Sequence, residues 1–141
     1  MDVFENFENQ LKANPKTIVF TEGTDARILS AASKLLAGKI LNVLLLGNPE
    51  AVKKAAAEGG FDITGAEICD PTSYPEFDAM VAKMVELRKG KMTEEQCRAA
   101  LSKSNYFGTM LVKMGKADCL LGGATYSTAD TFRPALQLIK C

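Results

Sequence analysis

The residues best suited to chemistry form one run near the end of the printed sequence, 122–137. Gly122 and Gly123 allow the backbone to approach a ligand closely, and Arg133 supplies a fork of donors that suits a phosphate. Between them stand small hydroxyl residues, which together with the free N–H groups at the start of a helix suit an anion. We therefore predict that this run handles a phosphate or an acyl phosphate.

Two predicted elements position this run. The apolar segment 117–121 before it is typical of a buried strand, and apolar residues at helical spacing follow it. Those residues are Phe132, Ala135, Leu136 and Ile139. In open parallel α/β sheets, ligands bind beyond the carboxyl ends of the strands, where this crossing lies. The same residue types also serve an ordinary turn and helix N-cap, so spacing alone leaves both interpretations open.

The composition restricts the class of protein. A chain of 141 residues fits one domain with a substantial core. Its 17 basic and 17 acidic residues balance, which gives no electrostatic footprint for nucleic acid or an anionic membrane. The sequence shows no apolar stretch of membrane-spanning length and no signal-peptide pattern at its start. We expect a cytoplasmic protein with neither nucleic-acid nor membrane partners, in which any anion site is local.

Cysteine and histidine usage restricts the mechanism. The sequence has four cysteines, widely spaced, and no histidine, so neither a Cys-x-x-Cys pair nor a Cys/His zinc pattern exists. We predict reduced thiols and no metal site, with Cys69 and Cys119 as small buried side chains in strands. A Ser-His-Asp or Cys-His mechanism within these residues is excluded. A carboxylate, a lysine or a tyrosine would have to act as general base.

Strands and helices alternate along the first half of the chain. The predicted strands are 17–21, 40–46, 66–69 and 117–121. The predicted helices lie near 1–13, 25–38, 49–58, 73–90, 93–101, 105–114 and 128–140. Strands that alternate with helices at these lengths indicate a parallel sheet with right-handed crossovers. We predict a three-layer α/β/α domain with a mainly parallel sheet.

Local signals mark several predicted helix starts. Ser73 with Glu76, and Thr93 with Gln96, have the capping-box spacing. Thr24 or Asp25 is expected to cap the second helix. The last helix has no cap or polar tail after its apolar face, so we expect the sequence to stop within a longer protein and the isolated chain to associate or dissolve poorly.

The run Ser127-Thr128-Ala129-Asp130-Thr131-x-Arg133-Pro134-Ala135-Leu136-Gln137 resembles the signature of the phosphate acetyltransferase and phosphate butyryltransferase family. Three shorter segments are similar to the family as well. They are Glu22-Gly23-x-Asp25-x-Arg27, the segment 86–90 and the segment 105–110. None is specific alone, but together and in this order they extend the resemblance from about residue 16 to residue 140.

The resemblance implies an enzyme that transfers an acetyl group between coenzyme A and phosphate, without metal, cofactor or covalent intermediate. Coenzyme A is a substrate in this reaction, alongside phosphate and acetyl phosphate. The family places the reaction in a cleft between two α/β domains, and its fold is similar to that of the isocitrate and isopropylmalate dehydrogenases. Its members are expected to be homo-oligomers at full length.

The resemblance also implies that residues 1–141 match only the N-terminal domain. Family members are more than twice as long, and the second domain carries the serine and aspartate that assist attack by the coenzyme A thiol. We therefore expect the chain to supply one wall of the cleft and to be inactive in isolation.

Within the signature, we predict Arg133 as the catalytic residue that stabilises phosphate charge. The predicted substrate-binding residues are Ser127, Thr128, Thr131 and Arg88. Arg88 has an equal alternative as a cation at a helix C-terminus. Asp130 is either a helix N-cap or a partner that orients Arg133. Tyr126 stands where the family commonly has histidine, and it is expected to shape the loop.

Glu22 and Arg27 are weaker candidates, with Arg27 expected to pair with Asp25 or to face the cleft. Two other functions stay open at this point. A phosphate butyryltransferase differs only in its acyl pocket, and a non-catalytic phosphate- or coenzyme A-binding or regulatory module would keep the anion site alone. A purely structural module would not explain why the run 122–133 combines glycines, hydroxyl residues and an arginine.

Overall fold

The computed structural model describes residues 2–139, which fold as strands alternating with helices. The strands are β1 (Thr17–Phe20), β2 (Asn42–Leu46), β3 (Glu67–Cys69) and β4 (Cys119–Leu121). The helices are α1 (Val3–Ala13), α2 (Ala26–Ala37), α3 (Pro49–Gly59), α4 (Phe77–Arg88), α5 (Glu94–Leu101), α6 (Ser104–Lys113) and α7 (Thr128–Leu138), with a 3-10 turn at Pro71–Ser73. Each predicted strand is present and one or two residues shorter than predicted.

The four strands form one parallel sheet in the order β3-β2-β1-β4, which confirms the predicted sheet. The chain builds outward from β1 to β2 and β3, and then returns to place β4 on the other side of β1. The strand order therefore reverses between β1 and β4. Ligands of open α/β sheets bind at such a switch point, beyond the carboxyl ends of the strands.

Two apolar cores cover the two faces of the sheet. Phe20 and Leu45 pack with α2 and α3 on one face, whereas Val19 packs with α4 to α7 on the other. Neighbouring residues of a strand point to opposite faces, so the pair Val19-Phe20 serves both cores. Burial of each of these side chains stabilises the fold by about 2 kcal/mol. The molecule is therefore the predicted three-layer domain.

Most of the predicted helix caps are present. Asp25 caps α2, accepting hydrogen bonds from the N–H groups of Arg27 and Ile28. At Thr93 the capping box is complete, since Gln96 N donates to Thr93 Oγ1 at 3.2 Å and Thr93 N donates to Gln96 Oε1 at 2.9 Å. Both interactions satisfy N–H groups that α5 would otherwise leave without partners.

The capping box predicted at Ser73 is wrong. Ser73 closes the 3-10 turn, and α4 begins three residues later than the pattern indicates, after Glu76, which makes no cap. Tyr74 explains the difference, because its ring packs edge-on against Phe107 at 5.2 Å and its hydroxyl donates to Glu76 Oε2 at 3.2 Å. The glutamate is thus held by Tyr74 and does not reach back to a backbone N–H.

Several predicted apolar positions lie on the surface. Cys119 is exposed and not buried as predicted, because β4 is an edge strand. On α7, Leu138 and Pro134 are buried, while Phe132 and Leu136 are exposed. The thiols of Cys69, Cys97 and Cys119 are free. Within residues 2–139, no helix is both long enough and apolar enough to cross a membrane.

Candidate functional site

Two adjoining clefts open at the carboxyl edge of the sheet. The first, here called the Arg133 cleft, has a volume of about 440 Å³, and its walls include Lys103, Ser104, Asn105, Tyr126, Asp130 and Arg133. The second, the switch-point cleft, has about 460 Å³ and is lined by the ends of β1 and β2 and by Ser104 and Tyr126. The hydroxyls of Ser104 and Tyr126 are 2.6 Å apart, and they separate the two clefts.

Residues 122–127, here called the signature loop, join β4 to α7, and the two glycines of this loop allow close packing within the protein. A Cβ atom on Gly122 would collide with the hydroxyl of Thr21, so only glycine lets the end of β4 lie beside β1. Gly123 has φ of +102°, a conformation that other residues rarely adopt. Gly122 thus lies against the end of β1 and Gly123 beside Thr131 of α7, while their approach to a ligand stays a prediction. Thr21 is buried, and its hydroxyl has no hydrogen-bond partner among the described residues.

The loop after Gly122 binds an anion that belongs to the chain itself. The Glu22 carboxylate accepts hydrogen bonds from Gly123 N at 2.6 Å and Ala124 N at 3.0 Å, and from both the N–H group and the hydroxyl of Thr125. Glu22 is 8% exposed. The sequence predicts anion-binding N–H groups here, and the structure fills those of 123–125 with a carboxylate.

The hydrogen bonds also decide the charge state of Glu22. Burial by itself raises the pKa of this carboxyl, but the donors of Thr125, Gly123 and Ala124 outweigh burial and hold the pKa below the ordinary glutamate value of 4.5. The group is therefore ionised at neutral pH. An ionised carboxylate that accepts several N–H groups forms strong, short hydrogen bonds, which order the loop.

The hydroxyl residues at the start of α7 serve the helix. Ser127 is the N-cap, since its Oγ accepts from Asp130 N at 3.1 Å and donates to Asp130 Oδ2 at 2.9 Å. Thr131 Oγ1 donates to the Ser127 carbonyl at 3.1 Å. Thr128 is exposed at the first helical position. None of these three lines the Arg133 cleft, so their predicted contact with substrate stays a prediction.

Arg133 lies at the mouth of its cleft with more than half of its side chain exposed. Its Nη1 is 3.7 Å from Asp130 Oδ1, and the two side chains lie one helical turn apart on α7. The interpretation of Asp130 as the N-cap is wrong, because Ser127 occupies that position. The ion pair is consistent with the alternative, in which Asp130 orients Arg133.

Arg88 lies away from both clefts. Its Nη1 donates to the carbonyl of Gln137 at 3.3 Å, and its buried Nε has no partner among the described residues. The guanidinium therefore stands at the C-terminal end of α7, where a cation is favourable. Arg88 is also the last residue of α4, which agrees with the alternative predicted for it, a cation at a helix C-terminus. Substrate binding by Arg88 stays a prediction.

Two residues of the segment 105–110 support α7 in a way that the sequence alone did not reveal. Pro134 lacks the N–H that would bond to the carbonyl of Asp130 four residues earlier. Asn105 Nδ2 donates to that carbonyl at 2.9 Å and so replaces the missing donor. Tyr106 Oη donates to Gln137 Oε1 at 2.9 Å. A proline inside a helix signals an orphaned carbonyl, but only the fold shows which donor reaches it.

The Arg133 cleft combines two cations with several neutral donors. Lys103 and Arg133 both line the cleft, together with the hydroxyl residues Ser104 and Tyr126 and the carboxylate of Asp130. Cationic side chains beside neutral donors suit a small anion. The fold and this cleft together define an open parallel α/β domain with a cationic cleft at its switch point, the place where ligands of such sheets bind.

Comparison with known proteins identifies the family. The family model described as "Phosphate acetyl/butaryl transferase" matches residues 2–141. The phosphate acetyltransferase of Bacillus subtilis (strain 168) is 48% identical over 139 residues, which cover 99% of this chain and 43% of the relative. That of Staphylococcus epidermidis (strain ATCC 12228 / FDA PCI 1200) is 43% identical over 139 residues, covering 99% of this chain and 42% of the relative.

Solved structures agree with the sequence comparison. The EutD phosphotransacetylase from Staphylococcus aureus superposes with a TM-score of 0.89 at 43% identity, covering 96% of this chain and 41% of that chain. A phosphotransacetylase from Streptococcus pyogenes gives 0.91 at 41% identity, covering 98% and 43%. The chain belongs to the phosphate acetyl/butyryl transferase family. It spans less than half the length of these relatives.

Proposed function

We propose that the complete protein carrying this chain is a phosphate acetyltransferase, which converts acetyl-CoA and phosphate reversibly into acetyl phosphate and coenzyme A. Residues 1–141 form its N-terminal α/β domain and one wall of an interdomain active site. The observation that carries the proposal is that Arg133 pairs with Asp130 and lines, together with Lys103, a cleft at the switch point. The names of the relatives favour acetyl over butyryl transfer.

Arg133 carries the chemistry that this wall contributes. In the direction of acetyl-CoA synthesis, the coenzyme A thiolate attacks the carbonyl carbon of acetyl phosphate, and the bond between that carbon and the phosphate oxygen breaks. The guanidinium holds the phosphoryl dianion and stabilises the charge as phosphate leaves. Asp130 holds Arg133 in place for this contact. We place the group that assists removal of the thiol proton in the remainder of the protein, because the family resemblance implies a serine and an aspartate of the second domain for that step.

The other predicted residues take supporting roles in the proposal. The proposed substrate donors are Ser127, Thr128, Thr131 and Arg88. For Ser127 and Thr131 this requires that a hydroxyl shares its present helical hydrogen bond with the substrate. The proposed enzyme works in the cytoplasm as a homo-oligomer, with coenzyme A as a substrate and no metal or other cofactor.

Formation of acetyl-CoA from acetyl phosphate and coenzyme A tests the function directly. We expect activity in the complete protein, none in the isolated chain, and slower turnover of butyryl phosphate than of acetyl phosphate. Arg133→Ala should lower kcat/KM about 100- to 1000-fold, because it removes a donor to the leaving phosphate.

Arg98→Ala is the matched control for Arg133→Ala. Arg98 also pairs with carboxylates on a helical surface, Asp78 and Glu94, but it lies outside both clefts. Its loss should leave kcat/KM unchanged. Wild-type turnover by Arg133→Ala would remove Arg133 from the mechanism. Binding of phosphate without any turnover by the complete protein would favour the non-catalytic module.

A further inference from the structure

The motif Glu22-Gly23-x-Asp25-x-Arg27 has no role in the reaction as proposed, yet it makes the densest set of contacts to the signature loop. Four donors of Gly123, Ala124 and Thr125 converge on the two oxygens of Glu22. Consecutive backbone N–H groups that point to one centre form a concave site of the kind that binds phosphate. In this chain a carboxylate from the neighbouring strand already occupies that site, which is here called the Glu22 nest.

Arg27 holds the same loop from its other side. Its Nη2 donates to the carbonyl of Ala124 at 2.6 Å, while Nε and Nη2 donate to the two oxygens of Asp25 at 3.2 and 3.0 Å. The N–H group of Ala124 is bound by Glu22 and its carbonyl by Arg27. The loop is thus fixed through the backbone N–H group and the carbonyl of Ala124, and both partners, Glu22 and Arg27, belong to the motif.

The loop leads directly to the residues of the Arg133 cleft. Tyr126 follows Thr125 and bonds Ser104, Ser127 caps α7, and Asp130 pairs with Arg133 in the first turns of that helix. A change in the position of 123–125 therefore shifts the start of the helix that carries Arg133.

We propose that Glu22 is a positioning residue, an internal anion that fills the nest at Gly123–Thr125, fixes the signature loop and leaves the substrate phosphoryl group to bind at the Arg133 cleft. The catalytic part of this inference rests on the proposed function. Its structural part, an anion site occupied by the chain's own carboxylate, does not.

Formate rescue of Glu22→Ala in the complete protein tests both parts. The substitution empties the nest and leaves room for a small carboxylate. We expect kcat/KM to fall about 10- to 100-fold, mainly through kcat, because Arg133 is displaced by a fraction of an ångström to an ångström. Millimolar formate should restore much of the activity with a saturable dependence and should raise the thermal unfolding temperature of this variant. Wild type should show neither effect.

Two further variants control the experiment. Glu58→Ala removes an exposed glutamate of α3 that pairs with Lys54, and formate should change neither its activity nor its unfolding temperature. Glu22→Gln keeps the size of the side chain but leaves no room for formate, so it should lose kcat without rescue. Glu22→Gln also provides the test if Glu22→Ala does not fold.

The outcomes separate this inference from the proposed function. Absence of acetyl transfer in wild type, together with formate-dependent stabilisation of Glu22→Ala, would overturn the function and support the nest. Normal kcat in both Glu22 variants would overturn the positioning role, as would equal effects of formate on Glu22→Ala and wild type. A loss of thermal stability with unchanged kcat would show a structural role only and would also overturn it.

Discussion

Asn105 and Pro134 form a compensating pair across two helices. The proline removes a hydrogen-bond donor from α7 about two turns after its N-cap, and the amide of Asn105 satisfies the carbonyl that this leaves on Asp130. A carbonyl left without a donor in a partly buried place costs about 1 to 3 kcal/mol. The pair therefore lets α7 contain a proline beside Arg133 without losing the position of Asp130.

A double-mutant cycle measures this compensation. Asn105→Ala should lower the free energy of unfolding by about 1 to 2 kcal/mol, because the carbonyl of Asp130 loses its donor. In the background of Pro134→Ala, where residue 134 regains its N–H, the same substitution should cost clearly less. Urea denaturation of the four proteins gives the values. The contact of Asn105 Oδ1 with Tyr106 N cancels in the cycle, and equal costs in both backgrounds would contradict the interpretation.

The ionisation of Glu22 predicts how stability depends on pH. Because the folded-state pKa lies below the ordinary value of 4.5, the ionised group contributes stability that is fully present above that value and is lost as the pH falls through the folded pKa. The charged neighbours are Asp25, whose pKa the Arg27 side chain lowers in the same direction, and Arg27 itself.

Comparison with Glu22→Gln isolates the contribution of Glu22. The difference in free energy of unfolding between wild type and this variant should be largest near neutral pH and should shrink once the pH falls below 4.5. Chemical denaturation across that range measures it. A difference that stays constant with pH would mean that shape and not charge holds the nest.

At the scale of elements, identical patterns have different outcomes. Ser73-x-x-Glu76 and Thr93-x-x-Gln96 are both capping boxes by spacing, but only the second caps a helix. Thr93 is followed by a short amphipathic helix that nothing disturbs, whereas Tyr74 inserts its ring beside Phe107 and holds Glu76. A tertiary contact over 33 residues of chain thus overrides a local signal, which is a common reason why helix starts are misplaced.

This pair offers a matched test. Thr93→Ala should lower the free energy of unfolding by about 1 kcal/mol, because α5 loses the hydroxyl that accepts from Gln96 N. Ser73→Ala should have almost no effect, since the serine caps no helix. Thermal or urea unfolding of both variants decides the matter, and equal losses would mean that the two boxes act alike.

The predictable part of the fold follows from local rules. The apolar runs of β1, β2 and β4 are buried or paired in the sheet, and glycine, proline and asparagine mark turns where predicted, as at Asn48-Pro49. Strand order does not follow from such rules, because each parallel pairing joins residues far apart in sequence. The partners of Glu22 and Asn105 do not follow from them either. The donor Gly123 lies 101 residues from Glu22, and the acceptor Asp130 lies 25 residues from Asn105.

The candidate site was therefore predicted in part. Sequence spacing placed the signature at a strand-to-helix crossing, which is correct, and named Arg133, which does line a cleft. The sequence predicted that the N–H groups of the loop bind an anion, but it did not show that these groups donate to Glu22. It grouped Arg88 with Arg133, although α4 brings Arg88 to the last turn of α7 and outside both clefts. The likeness to the dehydrogenase folds stays a prediction.

On the scale of the whole molecule, the four segments of the resemblance meet around one element. Glu22 and Arg27 bind the loop before α7. Asn105 bonds the first turn of α7, and Tyr106 and Arg88 bond its last turn. Segments that are spread over more than a hundred residues of sequence thus all contact α7 or the loop before it. These contacts fix the position of the helix that carries Arg133.

The position of β4 beside β1 has a consequence for the order of folding. Thr17 N donates to the carboxylate of Asp118 at 2.8 Å across 101 residues of chain, whereas β1 and β2 pair over a short connection. Contacts of such long range form late, because the entropy of closing a large loop has to be overcome first. During synthesis, the edge of β1 that pairs with β4 has no partner strand until most of residues 1–121 have been made. We therefore expect the cleft beside Arg133 to form after β1 and β2 have paired.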